Sequence, residues 1–95
     1  MERKYAEFAA TKACELLAID SPSGYTRKAA TWVKEAFEAL GFAAKITTKG
    51  GVLADLGGAD KDDALFLQAH TDTLGAMVAE IKANGRLKLT PLGGL

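Results

Sequence analysis

An α/β fold, with helices packed on a mixed β-sheet, is predicted by three observations in this 95-residue sequence. Two stretches before Gly41 repeat their apolar side chains at helical spacing. After Gly41 the apolar period falls to two, the period of a half-buried strand. Residues 64–69 are continuously apolar except for Gln68, and short enough to be a buried strand.

Tyr5, Phe8, Ala9, Ala13, Leu16 and Leu17 share one face of a first helix, residues 3–18, with Lys4, Glu7, Thr11 and Glu15 on the solvated side. Cys14 lies at the edge of the apolar face. It reads as a small hydrophobe, because no second histidine exists to activate it as a nucleophile. Ser21-Pro22-Ser23-Gly24 ends this helix, since proline cannot continue it and glycine is free to take positive φ. A second helix follows at residues 26–40. Ala29, Val33, Ala36, Phe37 and Leu40 form its inner stripe; Lys28, Lys34, Glu35 and Glu38 face outward. Gly41 closes it as a C′ residue. Trp32, on the flank of the stripe, reads as core or interface packing.

Phe42, Ala44 and Ile46 then alternate with Ala43, Lys45 and Thr47, and Gly50-Gly51 turns the chain into an antiparallel partner at residues 52–56. Residues 57–63 form a polar loop. Its glycines are no phosphate cradle, because no helix N-terminus follows and its aspartates would repel an anion. Two further strands, 76–83 and 86–90, are joined by Asn84-Gly85, a strong hairpin signal because both residues tolerate positive φ.

Composition narrows the function. Twelve basic residues balance twelve acidic ones, so there is no basic block to release counterions from a nucleic acid. No stretch approaches the ~20 apolar residues that span a membrane, and none near the start has signal-peptide character. Cys14 is the only cysteine, which rules out an internal disulfide and suits a reducing compartment. The expectation is a soluble cytoplasmic protein with neither nucleic acid nor membrane as a partner.

The stretch that speaks most about chemistry is Gln68-Ala69-His70-Thr71-Asp72-Thr73-Leu74-Gly75. It delivers the only histidine to the C-terminal end of the strand expected at 64–69, where open α/β sheets bind ligands and metals. Asp72 follows at a distance that lets its carboxylate orient the imidazole, an arrangement that sets the tautomer and raises ligand basicity. The alternative is a strand-end histidine beside a turn aspartate. Asp60, Asp62 and Asp63 read as a solvated loop and Asp55 as a strand residue. One histidine cannot complete a metal site that wants three protein ligands.

With these residues in view, the chain resembles the tetrahedral/glutamyl aminopeptidase family of two-metal peptidases. Ser21-Pro22-Ser23-Gly24-Tyr25 resembles the family's turn between its first helices, and Gly50-Gly51-Val52 with Ala54-Asp55 its early hairpin. Ala69-His70-x-Asp72-x-x-Gly75 resembles its first metal motif, and Gly85-Arg86-Leu87 through Pro91-x-Gly93-Gly94 the hairpin that follows. The likeness runs over nearly the whole chain, in the family's order.

The resemblance implies a division: residues 1–75 as the N-terminal part of a metallo-aminopeptidase catalytic domain, and 76–95 as the start of an inserted β-rich dimerisation domain. It implies two divalent ions, zinc or cobalt, per active site of the parent enzyme. His70 would ligate one of them, and Asp72 would be the non-ligating catalytic carboxylate that holds its imidazole. The bridging aspartate, the general-base glutamate beside a ligand glutamate, and a second histidine would lie beyond residue 95. The isolated chain would then hold at most one ion, weakly, and be inactive. The parent would remove N-terminal residues from peptide substrates and assemble as a homo-oligomer, dimers building larger shells. Thr73-Leu74 and Ala76 stand where many relatives carry Glu-Ile and Phe, a departure that bears on substrate preference. Related carboxypeptidases and deacylases share the His-x-Asp start. A reading from another class is a non-catalytic β-hairpin module that associates through an exposed strand edge.

Overall fold

The computed structural model describes residues 2–94. Its elements are, in order, α1 (Arg3–Leu17), α2 (Arg27–Ala39), β1 (Ala44–Ile46), β2 (Val52–Ala54), β3 (Gly75–Ile81) and β4 (Leu87–Leu92).

The packed part of the molecule is α2 on the β1–β2 hairpin. Ala29 and Ala30, both on α2, are the buried apolar residues among those described. The helix ends as expected. Gly41 takes φ +93, its N–H reaches the Glu38 carbonyl at 2.9 Å, and the Phe42 N–H reaches the Phe37 carbonyl at 3.1 Å. That pair of bonds satisfies two carbonyls that the helix end would otherwise strand. β1 and β2 are antiparallel, with Ala44 opposite Ala54 and Ile46 opposite Val52. These four residues are half-buried while Lys45 and Leu53 are exposed, the alternation of a sheet packed on one face.

The two hairpins close in the same way. Thr47 N–H bonds the Gly51 carbonyl at 2.7 Å and Gly50 N–H the Thr47 carbonyl at 2.9 Å; Lys82 with Arg86 and Gly85 with Lys82 repeat these bonds at 2.8 and 2.9 Å. Gly50 and Gly85 carry positive φ, +88 and +84. Each loop therefore has three residues and ends in a left-handed glycine. Asn84 does not take positive φ, contrary to the turn expected from Asn-Gly. Its side chain instead accepts the Arg86 N–H at 3.0 Å. In the β3–β4 pair, Ala79 is the extra residue of a bulge between Val78↔Leu89 and Glu80↔Lys88.

Three expectations need correction. There is no mixed sheet among the described residues: the strands form two separate two-stranded antiparallel sheets. Residues 64–69 form no strand and are not buried; Leu65, Phe66 and Leu67 are 85, 71 and 78% exposed. A buried strand needs ladder partners on both sides, and here each hairpin pairs only with itself. The apolar stripe of α1 is likewise uncovered. The helix touches α2 along one flank, with Lys12 Nζ 5.6 Å from the centre of half-buried Trp32. None of its residues is buried, however, and Tyr5, Phe8, Leu17 and Cys14 are exposed.

The dimensions agree with this. The Cα radius of gyration is 17.6 Å, against about 12 Å for a compact chain of this length. The accessible surface is 8071 Å², against roughly 5,200 Å² for a compact monomer of this mass. No helix among the described residues is long and apolar enough to cross a membrane.

Candidate functional site

His70 and Asp72 meet although the segment before them belongs to no strand. The His70 Nδ1 lies 3.2 Å from Asp72 Oδ1 and 3.1 Å from the Asp72 carbonyl oxygen. Both are acceptors, so the contact selects the tautomer that carries its proton on Nδ1. Nε2 then presents a lone pair outward from a side chain that is 84% exposed. This is the orientation in which a carboxylate prepares an imidazole for a metal ion.

The segment is held from the other end of the chain. Thr73 N–H donates to the Ser21 carbonyl at 2.8 Å, and Pro22 and Thr73 form a parallel bridge. The Ser21 hydroxyl donates to the Thr71 carbonyl at 3.1 Å and lies 3.5 Å from Thr73 Oγ1. Ser23 Oγ reaches Asp72 Oδ2 at 3.5 Å. The turn that presents these hydroxyls is closed by the Tyr25 N–H on the Pro22 carbonyl at 2.8 Å, with Gly24 at φ +87. Leu16, Leu17, Ser23, His70, Asp72 and Leu92 line a cleft of about 500 Å³ between the end of α1, the motif and the end of β4.

The structure thus brings the two expected site residues together and adds Ser21 and Ser23, whose place in the sequence points only to a helix stop and a family-like turn. No local spacing signals that pairing, because Ser21 and Thr71 are 50 positions apart. The acidic loop stays apart from the site: Asp60 Oδ1 accepts the Asp62 N–H, and Asp55 Oδ1 the Gly57 N–H, each within its own turn. Among the described residues, no three His, Cys, Asp or Glu side chains come together in a way that could hold a metal ion. His70 therefore suits one ligand position, and the described residues do not complete a site.

The family model described as M42 glutamyl aminopeptidase matches residues 50–95. A Bacillus subtilis (strain 168) protein assigned as an aminopeptidase, YhfE, is 42% identical over 80 residues, which cover 84% of this chain and 23% of that protein. The glutamyl aminopeptidase of Lactococcus lactis subsp. cremoris (strain MG1363) is 29% identical over 80 residues, 83% of this chain and 22% of that protein. These matches support a place for the chain in the M42 glutamyl aminopeptidase family, as its N-terminal part. It spans less than a quarter of the length of these curated relatives.

Proposed function

We propose that this chain is the N-terminal part of a metal-dependent aminopeptidase that hydrolyses N-terminal residues from peptides. The observation that carries the reading is the His70–Asp72 contact, in a chain similar to aminopeptidases over most of its length. In this reading His70 offers Nε2 to one of two divalent ions, zinc or cobalt. Asp72 keeps the Nδ1 proton in place and makes the imidazole a better donor. Paired ions in hydrolases supply an activated water and polarise the scissile carbonyl. The remaining ligands and the general base come from parts of the parent outside these residues. Residues 1–75 are then part of its catalytic domain and 76–95 the opening of an inserted β-rich domain. The parent is a cytoplasmic homo-oligomer whose partners are peptides. The exposed apolar segment at 64–69 supports this, because a strand of that composition gains stability only when other strands flank it.

The test uses the full-length parent with aminoacyl-p-nitroanilides and added zinc or cobalt. Turnover and bound metal, measured together, are both expected to fall to background in His70→Ala. A parent that keeps its metal content and its rate after that change would remove His70 from the ligand set. A parent that cleaves only from the C-terminus, or only N-acylated substrates, would be one of the related carboxypeptidases or deacylases.

The reading as an association module has one observation of its own. β3–β4 is an isolated hairpin with Met77, Val78, Ile81, Leu87 and Leu89 exposed, and an open hairpin edge can template another strand. A full-length parent that binds no metal and hydrolyses no peptide, yet assembles through this hairpin, would favour that reading.

A further inference from the structure

We propose that Ser21 is a positioning residue for the His70–Asp72 pair, and that the Ser21-Pro22-Ser23-Gly24 turn is the clamp that sets the pair's geometry. The proposal rests on the reading of His70 and Asp72 as site residues.

Ser21 is the buried polar residue among those described, 1% exposed, in a molecule that buries very little else. A buried hydroxyl is costly unless it is bonded. This one donates to the Thr71 carbonyl, while the carbonyl of the same residue accepts the Thr73 N–H. Thr71 and Thr73 are the two neighbours of Asp72, so one residue grips the backbone on both sides of the carboxylate. Between β2 and β3 the Thr73–Ser21 bond is the long-range backbone hydrogen bond among the described residues, and no ladder fixes residues 64–70. The orientation of the pair therefore depends on this contact.

The other residues of the turn fit the same role. Pro22 has no N–H to offer a ladder, and the Ser21 hydroxyl supplies a donor beside it. Pro22 packs so closely on Gly75 that a Cβ there would collide with the proline ring. Ser23 Oγ approaches Asp72 Oδ2, the carboxylate oxygen that does not face His70. Gly93, at φ +73, closes the end of β4 over Ser23; a Cβ at Gly93 would stand 2.8 Å from Ser23 Oγ.

The metal-stripped full-length protein, labelled with ¹⁵N-histidine and held at mildly alkaline pH, gives ring-nitrogen signals among which those of His70 are assigned by their loss in His70→Ala and report its tautomer. Amide exchange in a uniformly ¹⁵N-labelled sample reports the Thr73 N–H. Wild type is expected to show the Nδ1–H form. Ser21→Ala should speed Thr73 exchange about tenfold, the loss of one buried hydrogen bond, and move His70 toward the Nε2–H form that free histidine prefers. Gly75→Ala, which displaces Pro22 from the other side, should do the same; Ser21→Thr, which keeps a hydroxyl, should restore the wild-type signals. A loss of stability alone would leave the tautomer of the folded population unchanged. If neither Ser21→Ala nor Gly75→Ala alters the tautomer, the clamp is overturned. Zinc titration of the full-length protein separates this from the functional reading. A shifted tautomer with zinc affinity unaffected by His70→Ala would uphold the clamp and remove the ligand role. The converse result would remove the clamp alone.

Discussion

At the scale of single residues, Asp72 acts on the imidazole and not on packing. Its carboxylate is half exposed, and its partners are His70 Nδ1 and Ser23 Oγ. Asp72→Asn keeps the shape but can turn an N–H toward Nδ1, which favours the wrong tautomer. In the full-length parent this change is expected to weaken metal binding by roughly 10–100-fold, read by competition with a chromogenic chelator. His70→Ala should remove that ligand altogether while leaving far-UV circular dichroism unchanged, because an exposed imidazole contributes little to the core. An equal affinity for Asp72→Asn and wild type would show that the carboxylate does not tune this histidine. The surface ion pairs Arg3–Glu7, Lys12–Glu15 and Lys34–Glu38 run along helix faces in the open. Pairs of that kind contribute little to stability.

At the scale of elements, stability is concentrated where α2 meets the first hairpin. Gly41→Ala places a Cβ at φ +93. It should cost about 1–2 kcal/mol, the steric penalty of a left-handed L-residue, even though nothing within 4 Å opposes the new atom. Differential scanning calorimetry should then show the Tm falling by about 4–8 °C per kcal/mol. Ala29→Leu tests the packing of the same element. Ala29 is fully buried, and forcing extra methylenes into such a site typically costs about 1–3 kcal/mol. A neutral or stabilising Ala29→Leu would mean that the elements packed around Ala29 can move apart to admit the larger side chain. The α2 cap and most of the α2 stripe were legible in the sequence, because a helix period and a C′ glycine are local signals; Leu40, expected on the inner face, is instead 57% exposed, and Ala30, outside the expected stripe, is buried. The α1 period was legible in the same way, yet its burial was not. Period says which side chains share a face; a second element must supply what covers it.

At the scale of the whole molecule, the surface is about half as large again as that of a compact monomer of this mass. Phe8, Leu17, Leu65, Phe66 and Leu67 lie in the open alongside the apolar faces of β3–β4. The isolated chain is expected to dimerise, exchange strands or aggregate as concentration rises, since unpaired edges and uncovered apolar faces find each other. Multi-angle light scattering checks this, and a monodisperse monomer at high concentration would contradict it. The isolated chain is also expected to hydrolyse no aminoacyl-p-nitroanilide. It offers a metal ion one imidazole, and no three potential ligands meet among the described residues. Metal-dependent turnover by the 95 residues alone, lost in His70→Ala, would require ligands from a second copy.

By itself, the sequence determined the two helices, the two hairpins and the His70–Asp72 pair. Each depends on neighbours within a few positions: an apolar period, a glycine that can turn left-handed, a carboxylate two residues from an imidazole. Tertiary structure alone decided that residues 64–69 stand unpaired and that the strands form two separate sheets. It also decided that Ser21, far back in the chain, holds the backbone on either side of Asp72. A ladder, a buried face and a clamp across 50 residues each need two distant segments to meet. The strand-like run at 64–69 states only what that segment could bury, and only the fold determines whether a partner is there to bury it.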